Sequence, residues 1–117
     1  DRLDGIEAAI ISDNKKSEVA NSIKEGKNVK DATVTITGKI IYIRIAFEAG
    51  ADLDTSKSIA IKSLEQFSEE EKKFYDVHFT LVSEKTDINE GFTIMGAKNV
   101  NGTNLIWNNN NTVSDGE

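Results

Sequence analysis

Residues 32–48, "ATVTITGKIIYIRIAFE", alternate apolar and polar side chains on both sides of Gly38-Lys39. That period of two marks half-buried strands. Gly38-Lys39 reads as a two-residue turn with glycine first. Such a turn pairs Thr37 with Ile40, Ile36 with Ile41 and Val34 with Ile43. One face of the hairpin then carries Ala32, Val34, Ile36, Ile41, Ile43, Ile45 and Phe47. The other carries Thr33, Thr35, Thr37, Ile40, Tyr42, Arg44 and Ala46. A slip of one residue would turn the whole apolar set into water, so turn and alternation specify the same register.

Other stretches follow the helical period. Leu3, Ile6 and Ile10 are spaced by three and four, one apolar stripe, and predict helix within the first 26 residues. Ser12-Asp13-Asn14 can interrupt it, with Ser17-Glu18 opening a second short helix that carries Val19 and Ile23. One kinked helix and two separate helices both satisfy the pattern, and Gly26 is a plausible stop. Residues 49–54 read as a loop, with Asp54 as the N-cap of a helix to Phe67. Ala60, Leu64 and Phe67 line one side of that helix, with Ile61 beside them. Ser68 and Glu71 match a capping box that opens a last short turn through Lys73.

Residues 76–84, "DVHFTLVSE", alternate again: Val77, Phe79 and Leu81 face one way, His78, Thr80 and Val82 the other. Two further strands, 92–98 and 103–108, flank the turn signal Asn101-Gly102. Phe92, Ile94, Leu105 and Trp107 are their expected buried side chains. The order is therefore α-β-β-α-β-β-β. It predicts an α+β fold: a single, mostly antiparallel sheet of four or five strands with helices packed on one face. The helix before the third strand is long enough for a crossover. Residues 1–108 form one domain, and the polar residues 109–117 are expected to fray.

Composition narrows the functions. The chain has 117 residues, 38% hydrophobic and 29% charged, with a net charge of -6. A surface of that sign repels phosphate backbones and anionic lipid, so no nucleic-acid partner is expected. The absence of Cys excludes disulfides, thiolate catalysis and thiolate metal sites. No apolar run is long enough to span a bilayer. The first residue is Asp1, as in a chain whose leader has been removed or a piece of a longer one. Any membrane attachment is expected through a segment before Asp1.

Candidate chemistry is sparse. His78 is the sole histidine, at an outward strand position, and neither a nucleophile nor an acid can be assigned to it from the sequence. Asp52 with Asp54, and Asp87 with Asn89 and Glu90, suggest calcium. "DLDTSKSIAIKS" nevertheless lacks the mid-loop glycine and terminal glutamate of a calcium loop, and "DINEGFTIMGAK" lacks most ligands; capping and loop solvation suit them better. Glu69-Glu70-Glu71 complements the positive end of a helix. Asn101-Gly102-Thr103 and Asn110-Asn111-Thr112 match the glycosylation pattern, which is common by chance. No catalytic, cofactor or metal residues are assigned, and no enzyme activity is expected. The face shared by Ile40, Tyr42, Arg44, His78, Thr80 and Val82 is half apolar, and is the candidate interaction face.

The Thr37-Gly38-Lys39 turn, the junction "KSLEQFSEEEKKFYDV" and the final "MGAK…IW" hairpin resemble small proteins of unknown function from Gram-positive bacteria, over most of the chain from residue 32 onward. That resemblance implies a short N-terminal hydrophobic anchor and an extracytoplasmic domain, and supplies no catalytic residues. The strand-helix-strand core is also similar to cell-envelope domains of the alkaline-shock-protein type. The expected function is a non-catalytic, extracytoplasmic interaction module tethered at the envelope, with a protein or envelope component as partner. The alternatives are a small-ligand carrier or sensor with a pocket between the first helix and the sheet, which could be cytoplasmic, and a hydrolase using carboxylates alone.

Overall fold

The computed structural model describes residues 10–98 and 105–108. The Leu3–Ile6 part of the first apolar stripe, the Asn101-Gly102 turn, both glycosylation patterns and the tail 109–117 lie outside the described residues.

The elements are α1 (Asp13–Lys24), β1 (Val29–Thr37), β2 (Ile40–Phe47), α2 (Leu53–Ser63), a 3₁₀ turn (Leu64–Gln66), α3 (Glu69–Phe74), β3 (Asp76–Ser83), β4 (Phe92–Lys98) and β5 (Ile106–Asn108). The five strands form one sheet in chain order. β1–β2, β3–β4 and β4–β5 are antiparallel, and β2–β3 are parallel. The fold is thus α+β with a mixed sheet. The parallel pair arises because α2, the 3₁₀ turn and α3 carry the chain back to the starting end of β2, as a crossover must.

The hairpin register matches the alternation: Thr37↔Ile40, Ile36↔Ile41 and Val34↔Ile43. Gly38 supplies the positive φ, 59°, that the first turn position requires. Ile41, Ile43, Ile45, Phe47, Val77, Phe79, Leu81, Phe92 and Ile94 are buried, and pack in one cluster with Val19 and Ile23 of α1, Ala60 of α2 and Phe67. Burying one such aliphatic side chain contributes about 1.5–3 kcal/mol, so this seam dominates stability.

Several expectations are corrected. The break at Ser12 is present: residues 10–12 are not helical, and α1 starts at Asp13, not at Ser17, with Ser12 as its cap, accepting from the Lys15 N–H at 3.0 Å. The N-cap of α2 is Asp52, not Asp54, because Thr55 offers Asp52 both its N–H and its hydroxyl, each at 2.8 Å. The regular helix ends at Ser63, and a 3₁₀ turn completes the path to Phe67. Ile61 points to solvent, while Ser56 and Ser63 take buried positions by bonding to carbonyls one turn back, at Asp52 and Ala60. Leu105 and Trp107 are half-buried rather than buried, because the short β5 ends the sheet. Val34 and Ile36 are also only half-buried, since β1 is the opposite edge. The Ser68–Glu71 capping box forms in both directions, at 3.1 and 2.7 Å.

Candidate functional site

Pairing across the sheet gathers the outward residues into rows. Tyr42 lies beside His78, Arg44 beside Thr80, Ala46 beside Val82 and Ile40 beside Asp76. β1 extends these rows with Thr35 and Thr33. β4 and β5 extend them on the other side, giving Thr35–Tyr42–His78–Ala97–Ile106 and Thr33–Arg44–Thr80–Met95–Asn108. All six candidate residues therefore share one face, opposite the one carrying the core cluster. Tyr42 (41% exposed), Met95 (52%) and Ile106 (73%) are its large exposed apolar side chains.

Tyr42 and His78 meet edge to face, with ring centroids 5.5 Å apart at 86°. That packing fixes the histidine against an aromatic ring, with no carboxylate or hydroxyl recorded in hydrogen-bond contact with it among the described residues. The pair presents an aromatic, largely apolar edge on the open face. Met95, Ala97 and Ile106 were missed from the sequence, although the period of two in "FTIMGAK" already separates Met95 and Ala97 from Phe92 and Ile94.

The acidic candidates cap helices or lie exposed to solvent. Asp52 caps α2, and the Thr55 N–H, then its hydroxyl, hold its carboxyl below the usual range. Glu69, Glu70 and Glu71 form the first turn of α3, where Glu71 closes the capping box and lies 3.9 Å from the Lys15 amine. Asp87 and Glu90 are solvated in the β3–β4 loop, which Thr86 organises by accepting from the N–H groups of Ile88 and Asn89. No three His, Cys, Asp or Glu side chains converge among the described residues.

The core side holds one unexpected group. Lys98 ends β4 on the inner face, 1% exposed, and its amine donates to the Lys72 carbonyl at 3.1 Å. Burial lowers its pKa; Asp76 opposes that shift and Lys72 adds to it. Nearby Tyr75 is pushed up by burial and by Glu71.

A cleft of about 330 Å³ lies between α1 and α2, with Ile23 and Ile59 in its wall and Ser22, Glu25, Lys62 and Gln66 around it. Gln66 donates to Ser22 across it at 3.0 Å. It is a space between helices, not the pocket between helix and sheet expected from the sequence, where Val19 and Ile23 pack into the core. No helix among the described residues is long and apolar enough to cross a membrane. In comparison with known proteins, the chain matches no family model, no curated protein and no solved structure.

Proposed function

We propose that the chain is a non-catalytic interaction module that docks a protein partner on its open sheet face. The supporting observation is how little charge that face carries. The two central rows hold ten side chains, named above, of which Arg44 alone has a fixed charge. At the chain's average of 29% charged residues, about three would be expected. Tyr, Met and Arg in a charge-depleted patch are the side chains enriched at protein interfaces. The partner that fits is a protein surface with a neutral apolar patch and a carboxylate placed to meet Arg44. An extracytoplasmic, envelope-tethered setting in a Gram-positive bacterium belongs to this reading, and membrane fractionation of the natural product tests it.

The docking test is site-specific crosslinking in cells. A photoreactive residue at Tyr42 should capture a discrete partner, and Arg44→Glu should abolish that product. The same probe at Glu65 should not yield it. Crosslinks that survive Arg44→Glu and a Tyr42→Ala/Met95→Ala pair unchanged would remove the open face from the function.

The cleft between α1 and α2 supports a second reading, a carrier or sensor of a small ligand, because its volume lies at the lower end of ligand sites. Saturable stabilisation by a lipid, glycan or metabolite, lost on Ile59→Trp, would favour it.

A further inference from the structure

β1 is an edge strand: β2 pairs with it on one side, and no described strand pairs on the other. Natural edge strands are protected by charge, proline, bulges or shortness. β1 has such protection only at its start, where the register is irregular between Val29 and Asp31 and where Lys30 and Asp31 sit. From Ala32 to Gly38 the sequence is "ATVTITG", without charge or proline. The six residues before the glycine combine high strand propensity with no charge, the composition that recruits another strand.

The geometry of the hairpin says which backbone groups are free. A two-residue turn closes on a hydrogen-bonded Thr37–Ile40 pair, so the backbone groups of Thr37, Thr35 and Thr33 face β2. Those of Ile36, Val34 and Ala32 face outward. The side chains of Val34 and Ile36 are on the inner face and only half-buried there, at the rim of the core cluster. An incoming strand would thus take up free N–H and C=O groups and cover two half-wet apolar side chains together.

We propose that this edge pairs antiparallel with the same edge of a second copy of the chain, about a two-fold axis at Thr35. This register uses the whole uncharged run. Thr35 faces Thr35 of the second copy, Thr33 faces Thr37, and Val34 and Ile36 exchange backbone hydrogen bonds with Ile36 and Val34. Cross-strand threonine pairs and apolar pairs both stabilise such contacts. Beyond the run, Asp31 falls opposite Lys39 of the second copy at each end, so opposite signs meet where charge resumes. Lys39 reaches its own Phe74 ring, at 4.8 Å, and Asp31 lies 3.7 Å from Lys24; these exposed charges select register more than they add affinity. The product is a ten-stranded sheet with both open faces on one side and all helices on the other, independent of what binds the open face.

Sedimentation velocity of the folded chain tests this, and the expected mass at high concentration is twice that of one chain. Thr35→Lys places two like charges directly opposite each other at an exposed position, and should return the protein to one-chain mass with its far-ultraviolet spectrum unchanged. The chain has no Cys, so a single introduced thiol reports position. Thr35→Cys should form an inter-chain disulfide on mild oxidation, because opposed non-hydrogen-bonded residues have Cα atoms about 4.5 Å apart. Thr33→Cys should react at least about tenfold more slowly, its two copies being offset by four residues, about 14 Å. A single-chain mass up to about 1 mM, or equal crosslinking from both thiols, overturns the proposal. So does a dimer that survives Thr35→Lys but dissociates with Arg44→Glu, which would place the copies face to face.

Discussion

The two faces of the sheet are built from the same strands, yet they obey different rules. On the covered face, Ile43 has neighbours on every side: Val34 and Phe79 across the strands and the helices above. One step along the chain, Tyr42 is 41% exposed and leans on His78. The covered face is specified by volume and tolerates no vacancy. The open face carries little charge and leaves Tyr42, Met95 and Ile106 in contact with water.

The sharpest way to break this contrast is to truncate the covered face. Ile43→Ala leaves a cavity among close-packed neighbours and should lower stability by about 2–5 kcal/mol, read from the midpoint of urea unfolding. An unchanged midpoint would mean that the seam is not the core.

A second substitution tests how the covered face closes at its far edge. Gly96 lies opposite Trp107, and a Cβ there would stand 2.6 Å from the Trp107 ring. The missing side chain lets the indole lie across β4, with its centroid 6.4 Å from that of Phe79 and the Lys57 amine 5.7 Å above. Gly96→Ala should displace the ring, shift the emission of this sole tryptophan to the red, and cost about 1–3 kcal/mol. Unaltered emission would place Trp107 elsewhere.

Tyr42→Ala is the matching change on the open face. It removes an edge-to-face ring contact and a good strand residue, worth about 1 kcal/mol together. A loss as large as that of Ile43→Ala would show that the open face is structural, and would remove the reason to treat it as a free surface.

How far these faces could be read from the chain depended on how local the deciding interaction is. The hairpin was legible because the Gly38-Lys39 turn and the alternation constrain each other within sixteen residues. The capping box at Ser68 was legible for the same reason. Asp52 and Asp54 were not separable, since both are good caps, and Thr55 decides by donating twice to the carboxylate three residues before it. The edge effects at Val34, Ile36 and Trp107 depend on which strands end the sheet, a property of topology that no local window contains. The candidate face was half legible: alternation sorted the residues of β2 and β3, but only the parallel pairing brings Tyr42 to His78. Met95 and Ile106 join that surface through strand order alone.

Lys98 escaped detection because a lysine at an inward strand position is usually discounted, although the alternation from Phe92 through Ile94 and Gly96 reaches it directly. Its long stem fills apolar space while its amine finds the Lys72 carbonyl. This makes it the strictest test of the covered face, where the change at neutral pH should be smallest. Lys98→Met keeps the stem volume; it forfeits the bond to the carbonyl and the attraction of Asp76 but also ends the burial of a charge, so the net change should be small. The difference should appear only in alkali. The amine's folded pKa lies below its unfolded value of 10.5, so the unfolded chain holds more protons between the two, and Lys98 makes stability rise with pH across that window. Tyr75 acts oppositely: its folded pKa lies above 10.0, so the stability it contributes is complete below that pH and is lost as pH climbs through the raised value. In the native chain the two trends oppose each other. In Lys98→Met only the tyrosine trend remains, so urea midpoints should lack the rise that the unmodified protein shows as pH approaches 10.5 from below, and both proteins should fall alike above it. Superimposable profiles would show that the amine carries its charge in water-like surroundings, and that the covered face is open at the end of β4.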